Sequence, residues 1–355
     1  NCLFVSSSKS VYNGSTNSHG DVFIYNYDTN TGTWSLETSL YTLAYSSISD
    51  HDFGGGTYIG NFGKSMCCND ANNILFVGMP GYRTTSTTHG CVCIFEYINS
   101  SWSFKQKILG TTTNNQFGNS VTCNGDGTML FVGTNANTYN ISDVYKFDLT
   151  NNLYVQDTNF SIKPVSDKAN ASFGNQIKCD ISANILVVGS TDYAYSVNST
   201  TYYTGSVHIF QNSSNTWSEL KDCYPDVSNN RPYSGATIAN GANIGKSVSI
   251  SDDASKIVFS TNIQGLSNGS SYGVIYYYEY DNSSQNYIFK EIITSPVYTS
   301  ISTPFGDSIQ ISANGNYMIA AATGKYVEVY TYNPNLSNST YWQQNQYTNT
   351  TQNIV

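Results

Sequence analysis

The stretch FGKSMCCNDANNILFVG, Phe62 to Gly78, decides the reading of the chain. After the Phe-Gly pair, Met66 and Cys68 alternate with Ser65 and Cys67, the period of two that marks a strand with one face more deeply buried. Asn69 to Asn73 supply residues that tolerate positive φ and suit a tight hairpin. Ile74-Leu75-Phe76-Val77 is then a continuous apolar run, the pattern of a strand buried on both faces. The same text recurs as FGNSVTCNGDGTMLFVG from Phe117, FGNQIKCDISANILVVG from Phe173, IGKSVSISDDASKIVFS from Ile244 and FGDSIQISANGNYMIAA from Phe305.

Each copy is followed by a variable polar loop and a third β run: GDVFIYNY from Gly20, GCVCIFEY from Gly90, SDVYKFDL from Ser142, GSVHIFQN from Gly205, GVIYYYEY from Gly273 and KYVEVYTY from Lys325. A fourth, weaker run carries Trp34, Trp102, Tyr154, Trp217, Tyr287 or Trp342. The unit is a four-stranded meander, strands a to d. One such sheet cannot bury both faces alone, but radial stacking can, which predicts an all-β β-propeller. The repeats at 1–61, 62–116, 117–172, 173–243, 244–304 and 305–348 predict six blades in a single domain, with seven as the alternative. Residues 1–61 open directly on strand b, Cys2-Leu3-Phe4-Val5. The tail at 349–355 is therefore expected to supply the missing strand a and close the ring, or to be donated to a neighbouring copy.

Composition narrows the function. Only 11% of the 355 residues are charged, against about 25% in an ordinary soluble domain, yet 14% are aromatic and 30 are tyrosine. Abundant aromatics exclude a disordered chain. Fifteen Lys plus Arg spread thinly against 24 Asp plus Glu, a net charge of −9, exclude a nucleic-acid partner. No apolar run approaches the length of a membrane span.

The repeat Phe62-Gly63-Lys64-Ser65-Met66, continuing through Gly78-Met79-Pro80 to Gly90-Cys91-Val92-Cys93-Ile94-Phe95-Glu96-Tyr97, resembles the FG-GAP repeat of integrin α-subunit propellers. It is more similar still to integrin-like propellers of secreted microbial and viral proteins. The resemblance covers essentially the whole chain, although the GAP triplet drifts to Gly133-Thr134-Asn135 and Gly189-Ser190-Thr191. Calcium-binding members carry Asp-rich loops between strands a and b. Here those turns offer only Asp70, Asp126, Asp180 or Asp252/Asp253, so no calcium, and no other metal or cofactor, is expected.

No nucleophile elbow, P-loop or dinucleotide fingerprint occurs. Of eight cysteines, Cys68, Cys123 and Cys179 share one inward slot and read as small buried hydrophobes. Cys91 and Cys93 alternate to one face of strand c, where packing between blades is the first reading. His208 shares a strand-c slot with Phe23, Cys93 and Tyr145 and reads as a packed histidine. His19, His51 and His89 fall in loops of one face without metal-ligand spacing.

The two arginines, Arg83 and Arg231, lie in loops of that same face with Tyr82, Tyr193, Tyr195, Tyr202, Tyr203 and Tyr233. Arg with Tyr is the composition of interface anchors and sugar-stacking platforms. Asn99, Asn212 and Asn282, in c–d hairpins, and Asn198 and Asn268, in b–c loops, are glycosylation candidates if the chain is secreted. These observations lead to an expectation of a non-catalytic extracellular or surface module for adhesion or protein assembly. A glycan-binding lectin is the first alternative, and an enzyme with its site over the central channel is the second.

Overall fold

The computed structural model describes residues 2–7, 20–47, 60–83, 88–135, 144–163, 172–197, 200–223, 242–261, 273–295, 305–322, 326–336 and 340–349. Among the described residues the chain forms six antiparallel sheets that are the blades of an all-β six-bladed β-propeller, and one separate two-stranded sheet, within two compact units. Seven blades are not found.

The first unit, residues 1–161, holds three sheets. The first is three-stranded, β1 (Cys2–Ser7), β2 (Asp21–Asp28) and β3 (Thr33–Ser39), and leads into a short helix, α1 (Leu40–Ser47). That helix was not expected from the sequence; Leu40, Tyr41 and Ala44 bury one side of it. The second sheet is β4 (Ser65–Cys68), β5 (Ile74–Met79), β6 (Cys91–Ile98) and β7 (Ser101–Leu109). The third is β8 (Ser120–Cys123), β9 (Met129–Gly133), β10 (Val144–Thr150) and β11 (Leu153–Gln156).

The second unit, residues 162–355, repeats the plan. Its sheets are β12 (Phe173–Cys179), β13 (Ile185–Ser190), β16 (Ser206–Ser213) and β17 (Thr216–Cys223); β18 (Val248–Ile250), β19 (Lys256–Thr261), β20 (Val274–Asp281) and β21 (Asn286–Ile293); and β22 (Ser308–Ile311), β23 (Tyr317–Ala322), β24 (Tyr326–Tyr332) and β25 (Trp342–Asn349). An extra hairpin, β14 (Ala194–Val197) with β15 (Thr200–Tyr203), fills the segment read from sequence as a loop. Asn349 pairs with Tyr326 inside β25, so it completes the fourth strand of the last blade. Residues 350–355, the rest of the expected closing strand, lie outside the described residues.

Each feature of the quoted repeat has a structural duty. The aromatic (Phe62, Phe117, Phe173, Phe305, or Ile244 in its place) is buried. Its glycine adopts φ of +83° to +87° in all five copies, the left-handed region that favours glycine. The residue that opens each a–b turn caps it. Asn69 Oδ1 accepts from Ile74 N (2.9 Å) and Asn124 Oδ1 from Met129 N (2.8 Å). Asp180 Oδ1 accepts from Ile185 N (2.6 Å), Ser251 Oγ from Lys256 N (3.0 Å) and Ser312 Oγ from Tyr317 N (3.0 Å). The turn acids Asp126, Asp180 and Asp253 thus accept local N–H and O–H groups. Two-residue turns with both φ positive, at Asn99-Ser100, Asn151-Asn152 and Ser214-Asn215, close three c–d hairpins as type I′ turns.

Strand d carries a bulge in five of the six blades. The residue that falls out of register is Glu37, Lys105, Leu220, Lys290 or Asn345. A bulge re-aims the side chains around it. Between adjacent sheets of each unit lie apolar clusters. One joins Val22, Ile24 and Phe62 to Cys91, Cys93 and Phe95; another joins Tyr277 and Phe305 to Met318, Tyr330 and Trp342. Strands β5 and β13 are buried throughout, as their continuous apolar runs require. Tyr276, Tyr277 and Tyr278 are core residues.

Candidate active site

The fourth blade gathers the one group of His and carboxylate side chains, among the described residues, with ligand atoms close enough to share an ion. His208, Glu219 and Asp222 bring one atom each to within 4.8 Å of one another. His208 is on β16, fully buried; Glu219 and Asp222 are on β17. In a regular strand, residues three apart point to opposite faces. The bulge at Leu220 absorbs one residue, so Asp222 pairs with His208 while Glu219 pairs with Phe210, and both acids come to the histidine's side.

His208 Nδ1 lies 2.7 Å from Glu219 Oε1 and 3.5 Å from Asp222 Oδ1. A carboxylate only accepts, so Nδ1 carries the hydrogen and donates it to Glu219. With Nδ1 protonated, the nitrogen left to act as a base in a neutral ring is Nε2, which is buried and has no hydrogen-bond partner. Three aromatic rings flank the imidazole: Tyr193 at 5.2 Å, Phe173 at 5.7 Å and Phe210 at 6.5 Å between centroids. Ser206 Oγ donates to Asp222 Oδ1. Burial pushes the Asp222 carboxyl above its ordinary range and the Glu219 charge adds to this, against the pull of His208 and Ser206. One imidazole nitrogen and two carboxylates could also hold a divalent cation.

A second concavity, about 500 Å³, opens in the same unit between the a–b turns of the fourth and fifth blades. It is lined by Asp180, Asp252, Asp253, Gln211, Tyr280 and Tyr287 among others. Asp180 spends both oxygens on backbone N–H groups, and Tyr287 OH donates to Ala254 O at 2.6 Å. Asp180 and Tyr287 thus serve the turns that border this concavity.

Of the residues expected to form a binding face, Tyr82, Arg83, Tyr193, Tyr195, Tyr202 and Tyr203 are among the described residues. Tyr82 is fully buried, with its hydroxyl 2.9 Å from Lys107 Nζ, and Tyr193 is 3% exposed against His208. Burial withdraws both from any surface contact. Arg83 is half-buried and bridges Thr88 through its backbone. Tyr195, Tyr202 and Tyr203 lie on the β14–β15 hairpin, Tyr195 paired with Tyr202 and Tyr203 with Ala194. Arg231, Tyr233, His19 and His51 lie outside the described residues, as do Asn198 and Asn268. Asn99 and Asn282 are exposed in turns, and Asn212 is half-buried. None of the eight cysteines forms a disulfide. Cys91 and Cys93 are packed in the core, whereas Cys68, Cys123 and Cys179 are only half-buried. No helix of the described residues is long and apolar enough to cross a membrane.

No protein-family model matches the sequence, and no curated protein does so at a significant level. Solved structures do match. A periplasmic gluconolactonase of Pseudomonas aeruginosa aligns with a TM-score of 0.58 at 12% identity, over 98% of this chain and 82% of its own. A protein from Lactobacillus plantarum aligns with a TM-score of 0.53 at 10% identity, again over 98% and 82%. The propeller fold is thereby shared over nearly the whole chain. The integrin-type FG-GAP resemblance finds no support beyond that fold. The expectation of a non-catalytic adhesion or assembly module is overturned: one solved structure that shares this fold is a gluconolactonase, an enzyme.

Proposed function

We propose that this chain is a hydrolase that opens the cyclic ester of a sugar acid, with His208 as general base. The observation that carries the reading is the buried Glu219–His208 dyad. Its Nδ1 is committed to a carboxylate at 2.7 Å while Nε2 is buried with no hydrogen-bond partner. A buried ring nitrogen without a partner calls for an explanation, and a catalytic base is one. The likeness to a gluconolactonase supplies the substrate class.

In this reading Nε2 takes a proton from a water whose oxygen bonds to the lactone carbonyl carbon. Glu219 stabilises the imidazolium that results. The ring C–O bond then breaks, and the imidazolium returns its proton to the departing oxygen, so one water is added overall. Ser206 is committed to Asp222 rather than to His208, which favours water over a serine nucleophile. Nε2 is buried, so substrate reaches it only when the packing around the imidazole, which includes the Tyr193 ring at 5.2 Å, opens. The periplasmic location of the neighbour supports a secreted or surface setting.

The test is acid release from glucono-δ-lactone by the purified chain in a pH-stat. Turnover above the spontaneous rate supports the reading. A rate equal to the spontaneous one, across a panel of five- and six-membered sugar lactones, overturns it.

A further inference from the structure

At the contact between the second and third blades, an amine, a carboxamide and a carboxyl meet. Lys105 Nζ donates to Asn152 Oδ1 at 2.7 Å and to Glu96 Oε2 at 3.2 Å. The lysine side chain is only 7% exposed and the glutamate 23%. We infer that Lys105 and Asn152 form an intramolecular isopeptide bond, with Glu96 as the proton carrier.

Three features aim the groups at one another. Lys105 is the bulged residue of β7, unpaired between Phe104 and Gln106, so its side chain leaves the strand's alternation and reaches the neighbouring blade. Asn152 occupies the second turn position between β10 and β11 at φ +65°, which projects it from the hairpin tip. Gln106 clamps the two blades beside this contact: its Nε2 donates to Tyr154 O (2.9 Å) and its Oε1 accepts from Tyr154 N (2.8 Å). Reacting groups held in place this way have already met the entropic cost of encounter.

The step balances within the chain. One Nζ proton passes to Glu96, and the freed amine attacks Cγ of Asn152. The new N–C bond forms as the C–N bond of the carboxamide breaks. The departing nitrogen leaves as ammonium, carrying two protons from Nζ relayed by Glu96. No oxidant, metal or co-reactant is consumed. The fifth blade provides an internal comparison. Lys290 and Glu279 repeat the lysine–glutamate pair at 3.9 Å, but Lys290 is 30% exposed and its amine stands 5.9 Å from the Tyr341 ring centroid. One cross-link is therefore expected, not two.

Tryptic mapping by mass spectrometry tests this on the purified full chain. The expected result is a branched peptide joining Lys105 to Asn152, trypsin resistance at Lys105, and a mass about 17 Da (one ammonia) below the unlinked chain. Glu96→Gln should reduce the branched peptide at least tenfold while keeping the wild-type circular dichroism spectrum. Lys105→Arg should abolish it. Cleavage at Lys105 with an unmodified Asn152 in the wild-type chain overturns the inference. So does a loss of about 17 Da without the branched peptide, which is the signature of an asparagine succinimide.

Discussion

Gly90 and Phe117 approach so closely that a methyl group on Gly90 would stand 2.2 Å from the Phe117 carbonyl oxygen. The two residues pair as a parallel bridge between the second and third blades, and Gly20 with Phe62 and Gly205 with Ile244 repeat the arrangement. Gly90 also holds φ at +76°. The recurring aromatic-glycine text is thus one half of a latch whose other half is the glycine before strand c. Gly90→Ala should destabilise by more than about 2 kcal/mol in urea unfolding. Gly32→Ala, at φ +68° but with its nearest neighbour 3.8 Å away, should lose only about 1 kcal/mol. Equal losses would contradict the latch.

The first residue of each a–b turn is asparagine, aspartate or serine because its side-chain oxygen must accept the N–H that closes the hairpin. Asn69→Ala strands the N–H groups of Asn73 and Ile74, which now reach Asn69 Oδ1 at 3.0 and 2.9 Å. Chemical denaturation should register a loss of about 1–3 kcal/mol. Asn69→Asp should retain most of that stability, since Asp180 fills the same role two blades on.

Burial raises the phenols of Tyr154, Tyr277, Tyr278, Tyr287 and Tyr330 well above the ordinary tyrosine range. A raised folded-state value means that the proton is held more tightly in the fold than in the unfolded chain. This contribution to stability is complete below about pH 10 and is lost as pH climbs above it. Spectrophotometric titration should therefore leave these five phenols protonated at pH 11 while exposed ones ionise, and they should titrate together with unfolding. A single smooth transition of all tyrosines near pH 10, with the fold intact, would be inconsistent with such burial.

Much of the architecture is legible in the sequence, because period-two alternation, polar turns and continuous apolar runs each report local physics. The candidate site is less so. His208 reads as one more packed strand-c residue, and it is packed. Glu219 and Asp222 are three apart, which in a regular strand sends them to opposite faces. Only the bulge at Leu220 unites them, and a bulge leaves no compositional mark. The same hidden device sends Lys105 towards Asn152. Tyr82 and Tyr193 mislead for the opposite reason: they lie in segments that read as solvated loops, but the chain folds their rings inward. The short helix α1 escapes because Leu40 to Ser47 has no capping acid in its first turn and no basic residue in its last.

We propose Nε2 of His208, set by Glu219, as the base of a lactone hydrolase. Steady-state ring opening of a sugar lactone by the wild-type chain and by His208→Gln tests it most directly, with melting temperatures measured alongside. In His208→Gln kcat should fall by a factor of about 10² or more, as for loss of a general base, while the variant still unfolds cooperatively. A folded His208→Gln chain that opens the lactone at the wild-type kcat would contradict it.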